Sequence, residues 1–216
     1  MNELEVKTIL ILAANPQGTS RLRLDKEARE IEDGLRRSHL GDYFQIEQRW
    51  ASRPRDVYRA LLDVEPQIVH FCGHGEGQVG LVLEDDTGRV KLVSREALSK
   101  LFELFAARIE CVLLNACYTE VQADAIVEHI NYAIGMRQAI RDDLAIAFSV
   151  GFYKGLGEGE LIDIAFESGC RAIQFEVDPN VMTCRKLTSV GWTKKANTPV
   201  VQDYQIPVLK KRANSI

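Results

Sequence analysis

Four short apolar runs constrain this chain more than any other feature. They are "TILILAA" (8–14), "QIVHFC" (67–72), "CVLLN" (111–115) and "YAIGM" (132–136). In each the apolar residues stand side by side instead of alternating, the pattern of strands buried on both faces of a covered, mainly parallel sheet. The stretches between them repeat at helical spacing. Leu24, Ala28, Ile31 and Leu35 form one apolar stripe, and Val57, Ala60 and Leu61 form another behind Pro54, which suits a first helical turn. Ala97, Leu98, Leu101, Phe102 and Phe105 follow Ser94, a residue able to cap them, and Ala123, Ile126, Val127 and Ile130 make a fourth stripe.

Four further strands complete the reading. "FQIEQR" (44–49) alternates, "GLVLEDDTGRVKLV" (80–93) reads as a hairpin around Asp86-Thr87-Gly88, and "RAIQFEV" (171–177) closes the series after helices over 141–155 and around 160–168. Strands alternating with helices predict an α/β domain over residues 1–177, with helices on both faces of a mainly parallel sheet. Residues 178–216 differ in character, with Pro179, Pro199, Pro207, "TKKANT" and a basic end. They predict an irregular extension packed on or beside the same domain, with one late element, "YQIPVL" (204–209).

Composition removes several function classes. The 27 basic and 31 acidic residues leave a formal charge of −4, which disfavours a nucleic-acid coat. No run approaches the ~20 apolar residues of a membrane span, and the acidic opening "MNELEV" does not fit a signal peptide. The expectation is a cytoplasmic protein with neither membrane nor nucleic acid as partner. Five cysteines, odd in number, widely spaced and without a CxxC, argue against a disulfide framework or a structural zinc site, so no metal or other cofactor is expected.

In an open α/β sheet, ligands gather at the carboxyl ends of the strands. Here "IVHFC" runs into Gly73-His74-Gly75, and "CVLLN" runs into Ala116-Cys117-Tyr118. If the two strands are neighbours, His74 and Cys117 emerge at one edge, although 43 residues separate them. A cysteine with a histidine to take its proton is the arrangement of nucleophilic catalysis. Gly73 and Gly75 let the backbone turn around His74. The N–H groups of Gly75 and Cys117 are then candidates for an oxyanion hole, and free N–H groups of a following helix would favour a thiolate.

The remaining candidates have plainer readings. His70 is expected to be a structural strand histidine. A zinc site from His70, Cys72 and His74 would be broken by the turn at Gly73 and lacks a fourth ligand. Asp142 and Asp143 could line a substrate pocket for a basic side chain, or simply match the dipole at a helix start.

Taken together, "HFCGHG" (70–75) and "LLNACYTE" (113–120) resemble the CHAT family of caspase-like cysteine peptidases. The likeness extends through "ILAANPQGTSRLRLDKEAREIEDGLRRS" (11–38), "EQRWASRPRDVYRAL" (47–61), "GLVLEDDTGRV" (80–90) and "IGMRQAIRDDLAIAFSVGFYKGLGEG" (134–159), covering about residues 7–177. The resemblance implies a three-layer caspase-like fold and peptide-bond cleavage by a dyad whose histidine is His74 and whose nucleophile is Cys117. It also implies a bacterial signalling or defence setting with a protein or peptide substrate. Sensor or repeat domains often accompany this family, and here a separate upstream activating protein is expected in their place. Cys72 stands where serine is commoner, a near-isosteric change.

Two other classes compete. One is a caspase-like interaction module or latent pseudoenzyme that needs a partner for activation. The other is a flavodoxin-like binder of a nucleotide or signal molecule. It is weakly supported, because "GLGEG" (155–159) follows a helix and "ANPQGTS" (14–20) lacks both GxGxxG and a phosphate-binding lysine.

Overall fold

The computed structural model describes residues 5–177 and 202–213. In chain order the first elements are β1 (Lys7–Ala13), α1 (Leu24–Arg36), β2 (Phe44–Arg49), α2 (Pro54–Val64), β3 (Ile68–Cys72) and β4 (His74–Gly75). Next come β5 (Leu81–Glu84), β6 (Val90–Val93), α3 (Arg95–Glu103), β7 (Cys111–Asn115), α4 (Glu120–Ile126) and β8 (Tyr132–Met136). The last are α5 (Asp142–Gly157), α6 (Ile162–Glu176) and β9 (Pro207–Lys211). A six-stranded sheet runs β2-β1-β3-β7-β8-β9, parallel except for β9, and β4-β5-β6 make a small antiparallel sheet.

Strand alternation divides the core into two layers. Ile9, Ile11 and Ala13 of β1 face the layer packed by Ile31 of α1, Phe148 and Phe152 of α5, and Ile173 of α6. Leu10, Leu12 and Ala14 face the layer of Val57 and Leu61 of α2, Phe102 of α3 and Ile126 of α4. Both sides of the central strands are therefore dry, which is why they read as continuous apolar runs. Each fully buried Ile or Leu among them contributes roughly 1.5–3 kcal/mol. Ser94 caps α3 through the Ala97 N–H at 3.3 Å, and Pro54 opens α2.

Two expectations are corrected. The predicted strand over 171–177 is instead the second half of α6, whose buried residues Ala165, Gly169, Cys170 and Ile173 recur at helical spacing. Close approach of α5 and α6 enforces this. A Cβ on Gly169 would lie 2.8 Å from the Phe148 ring, and one on Gly151 would lie 2.8 Å from the Ala172 Cβ. The edge of the sheet is completed by β9, with Ile134 opposite Leu209, so this part of the C-terminal region belongs to the domain's sheet and is not an irregular appendage. Of "YQIPVL", the first residues form a short turn over 203–205 and the rest open β9. The segment 178–201, with Pro179, Cys184, "TKKANT" and Pro199, lies outside the described residues.

The small sheet positions the candidate site. Its hairpin is tied to the loop after β1 by the Gln17 N–H to Gly88 O bond at 2.8 Å and by Asn15 N–H to Glu84 Oε1 at 3.0 Å. Its first strand, β4, contains His74.

Candidate active site

β3 and β7 are parallel neighbours with Cys72 opposite Asn115, so His74 and Cys117, each two residues farther on, leave the sheet at the same edge. The two loops are in direct contact. Gly73 N–H donates to Asn115 O at 3.4 Å, and a Cβ on Gly75 would lie 2.2 Å from the Cys117 carbonyl oxygen. Only glycine permits that approach.

His74 is half-buried, and its Nε2 lies 2.9 Å from the backbone oxygen of Ser20, in the loop after β1. A carbonyl only accepts, so Nε2 carries the hydrogen, and in the neutral ring Nδ1 is left as the basic nitrogen. This carbonyl is the orienting group that a sequence motif cannot reveal.

Cys117 is half-buried, with Sγ 3.8 Å from the Ile140 carbonyl oxygen. Its neighbours' N–H groups are engaged, Ala116 with Leu114 O at 2.9 Å and Tyr118 with Gln138 O at 3.3 Å. The Cys117 N–H has no acceptor among the described residues. On β4, Glu76 N–H bonds Gly80 O at 3.0 Å, so the adjoining Gly75–Leu81 pair is the non-bonded one of the ladder, and Gly75 N–H points away from β5. Both proposed oxyanion donors are thus uncommitted.

The turn that presents Cys117 is strained and tightly held. Tyr118 has φ +58°, a left-handed conformation that costs a tyrosine about 1 kcal/mol. Thr119, fully buried, holds the turn: its Oγ1 lies 3.0 and 2.8 Å from the carbonyl oxygens of Leu114 and Ala116 and accepts from Met136 N–H at 3.0 Å. The helix that follows differs from the expectation. α4 begins at Glu120 and is only seven residues long, and its opening carboxylate is bound by Lys210 of β9 at 2.8 Å. Its N-terminus is therefore already matched by an acidic residue of the chain.

The other described cysteines are enclosed. Burial pushes the Cys72 and Cys111 thiols well above their ordinary value and that of Cys170 up to about 12. Asp142 and Asp143 both lie in the first turn of α5, each engaged by an arginine of this chain. Arg23 Nε donates to Asp142 Oδ2 at 2.6 Å, and Arg141 is bonded to Asp143. Through Arg23, Asp142 joins the loop that holds His74 to the loop that meets Cys117.

Beneath this edge lies a second cluster, of which the sequence reading named His70 and Cys72 but not their partners. Glu27 Oε1 accepts from Asn115 Nδ2 at 2.5 Å, Ser149 Oγ at 2.7 Å and His70 Nε2 at 3.1 Å. His70 Nδ1 meets the Tyr153 hydroxyl at 3.1 Å, and Cys72 Sγ faces Leu12 O at 3.8 Å. Glu27, His70 and Cys72 offer ligand atoms all within 4.8 Å of one another. That is a possible donor set for a metal ion, but Glu27 Oε1 and both ring nitrogens of His70 are already hydrogen-bonded. His70 and Cys72 have no exposed surface, so no polypeptide reaches this thiol. The cluster is a buried hydrogen-bonded network joining α1, β3, β7 and α5, in which the buried Asn115 Oδ1 lacks a partner among the described residues. Glu27 was legible in principle: it stands three residues from Leu24 and four from Ile31, on the apolar stripe of α1.

A separate hollow of about 340 Å³ lies at the opposite end of the sheet, among Lys7, Phe44, Ile68 and Tyr132 at the strand starts. It contains none of the predicted site residues.

Comparison with known proteins bears on the family and the fold. The family model described as "CHAT domain" matches residues 11–168. A "probable protease" from Gillisia limnaea is 26% identical over 221 aligned residues, covering 100% of this chain and 37% of that protein. The chain thus spans a little over a third of that relative. Among solved structures, the secreted C11 cysteine protease of Bacteroides thetaiotaomicron, in complex with an irreversible peptide inhibitor, superposes with TM-score 0.56 at 15% identity, over 75% of this chain and 56% of that one. The Drosophila initiator caspase Dronc superposes with TM-score 0.50 at 9% identity, over 79% and 76%. These two share the fold, which is caspase-like.

Proposed function

The chain belongs to the CHAT domain family, and on that premise we propose that it is a cysteine endopeptidase acting through Cys117 and His74. The observation that carries this reading is the meeting of the β3 and β7 loops. They bring a half-buried thiol, an imidazole oriented by Ser20 O and two uncommitted N–H groups to one edge of the sheet.

The chemistry follows from these parts. His74 Nδ1 takes the Cys117 proton, and the sulfur attacks the carbonyl carbon of the scissile peptide. The N–H groups of Cys117 and Gly75 receive the negative charge that develops on the carbonyl oxygen. The imidazolium then donates its proton to the leaving amine. Water, deprotonated by His74, releases the acyl group and restores the thiol. The substrate is a protein or peptide, as for the relatives named protease. A basic substrate side chain approaching Asp142 or Asp143 would compete with Arg23 or Arg141 for the carboxylate.

A second reading has its own observation. Sγ of Cys117 makes its contact with Ile140 O, and the structure records no hydrogen bond between Cys117 and His74. A latent enzyme whose dyad is completed when a separate partner protein binds would look like this, although catalytic hydrogen bonds often tighten only with substrate.

Alkylation with iodoacetamide at pH 6.5, followed by peptide mapping, tests both. Preferential labelling of Cys117 that fades in His74→Ala identifies an assembled dyad. Slow labelling of Cys117, equal in wild type and His74→Ala, identifies the latent form. Peptide cleavage by Cys117→Ala at the wild-type rate would sink the peptidase reading.

A further inference from the structure

The turn after the nucleophile needs a left-handed residue, a conformation that glycine or asparagine adopts readily. The chain places tyrosine there, at φ +58°. Its side chain does not repay the strain within the protein. The residue is 49% exposed, and its hydroxyl has no hydrogen-bond partner among the described residues. The turn itself is secured without the ring, by Thr119 Oγ1 and by the Tyr118 N–H to Gln138 O bond.

The place of the ring is informative. Tyr118 is next to Cys117, and a Cβ on Gly77 would lie 3.6 Å from the Tyr118 Cβ. Gly77 opens the short turn after β4, and that turn ends in Val79, an aliphatic residue 59% exposed. The turn is fixed from below, since Gln122, fully buried in α4, donates through Nε2 to Gly77 O at 2.6 Å. The turn that follows His74 and the turn that carries Cys117 thus meet at Gly77 and Tyr118, and each presents an exposed apolar side chain, Val79 on one and Tyr118 on the other. Arg23 and Asp142, by contrast, neutralise one another.

We propose that Tyr118, with Val79, forms the wall of a subsite that receives an apolar side chain of the peptide substrate beside the bond attacked by Cys117. This rests on the peptidase reading of the same site. The ring supplies a large, rigid apolar face at small entropic cost, and the strained backbone holds it facing the substrate instead of folding it onto the protein.

The test uses the full chain and a peptide library varied around the cleaved bond, with wild type, Tyr118→Asn and Tyr118→Phe. At the position that Tyr118 contacts, Tyr118→Asn should reduce the preference for apolar over small polar residues, read as a ratio of kcat/KM, by about 10-fold. Tyr118→Phe should keep it. Because strain is relieved, Tyr118→Asn should also melt about 2–4 °C higher, so lost selectivity cannot be blamed on misfolding. The same peptides are assayed for binding to Cys117→Ala protein with and without Tyr118→Asn, which decides the subsite whether or not hydrolysis is detected. A cleavage or binding profile unchanged by Tyr118→Asn overturns the subsite. Failure of the peptidase reading shows separately, as cleavage that does not depend on Cys117.

Discussion

Two regions of this molecule, one strand turn apart, hold the same chemical groups and invite opposite conclusions. Below the sheet edge, Glu27, His70 and Cys72 bring together a carboxylate, an imidazole and a thiol, the set from which a catalytic triad is built. Above it, His74 and Cys117 stand with a backbone carbonyl as third member. The lower thiol is sealed, and burial, with the Glu27 charge a lesser cause, pushes it well above the ordinary cysteine range. The upper thiol is half-exposed beside free N–H donors. Access and an uncommitted oxyanion site, more than the identity of the groups, separate a structural polar network from an active site.

The largest effect that would break this comparison concerns the two cysteines. Cys117→Ala is expected to lower peptide turnover by at least about 1,000-fold, while Cys72→Ser, which keeps a donor toward Leu12 O, stays within a few-fold of wild type. Reversed outcomes in single-turnover assays would move the active site to the lower cluster. Next in size is Gly75→Ala. The added methyl cannot sit 2.2 Å from the Cys117 carbonyl, so the two loops must separate, and about 100-fold of activity should be lost. Retained turnover would remove Gly75 from the site.

Glu27→Ala addresses the other half. It leaves the Asn115 amide, the Ser149 hydroxyl and the His70 ring nitrogen without their shared acceptor, and should cost roughly 2–4 kcal/mol in urea unfolding. Cys117 alkylation in the protein that remains folded should change little. If alkylation collapsed while stability held, Glu27 would be part of the chemistry.

The smallest effect is a pH dependence at the sheet edge. Lys210 holds the Glu120 carboxyl below its ordinary value, aided by Arg137. A carboxyl lowered by folding stabilises fully above its unfolded value of 4.5 and loses that contribution as pH falls through the depressed folded value. For a partly exposed pair this amounts to less than about 1 kcal/mol. Glu120→Gln should therefore make acid unfolding slightly less steep below pH 4.5, and should also shrink the small loss above 10.5, because Glu120 together with Asp124 raises Lys210.

Much of this was legible in the sequence because burial on two faces writes itself as unbroken apolar strands and striped helices. His74 and Cys117 were legible because both lie at strand ends, where topology gathers chemistry. The strand expected at 171–177 shows the limit. "RAIQFEV" has β-branched and aromatic residues, but Gly151, Gly155 and Gly169 let α5 and α6 pack too closely for anything except a continued helix. Ser20 acts through its carbonyl, which every residue has, so no side-chain pattern could single it out. Asn115 and Ser149 were hidden for a related reason: each looks unremarkable until three distant elements fold around Glu27.

β9 carries a consequence for how the molecule is made. Ile206, just before it, holds Arg137 N–H at 2.9 Å, and Gln138, one residue on, holds Tyr118. The brace behind the cysteine turn is thus supplied by residues synthesised about 90 positions after Cys117. A chain emerging from the ribosome N-terminus first can pair β1, β3 and β7 early, yet it lacks this support until β9 arrives. The support of the cysteine turn is therefore complete only when β9 has been made and has paired with β8, well after Cys117 itself.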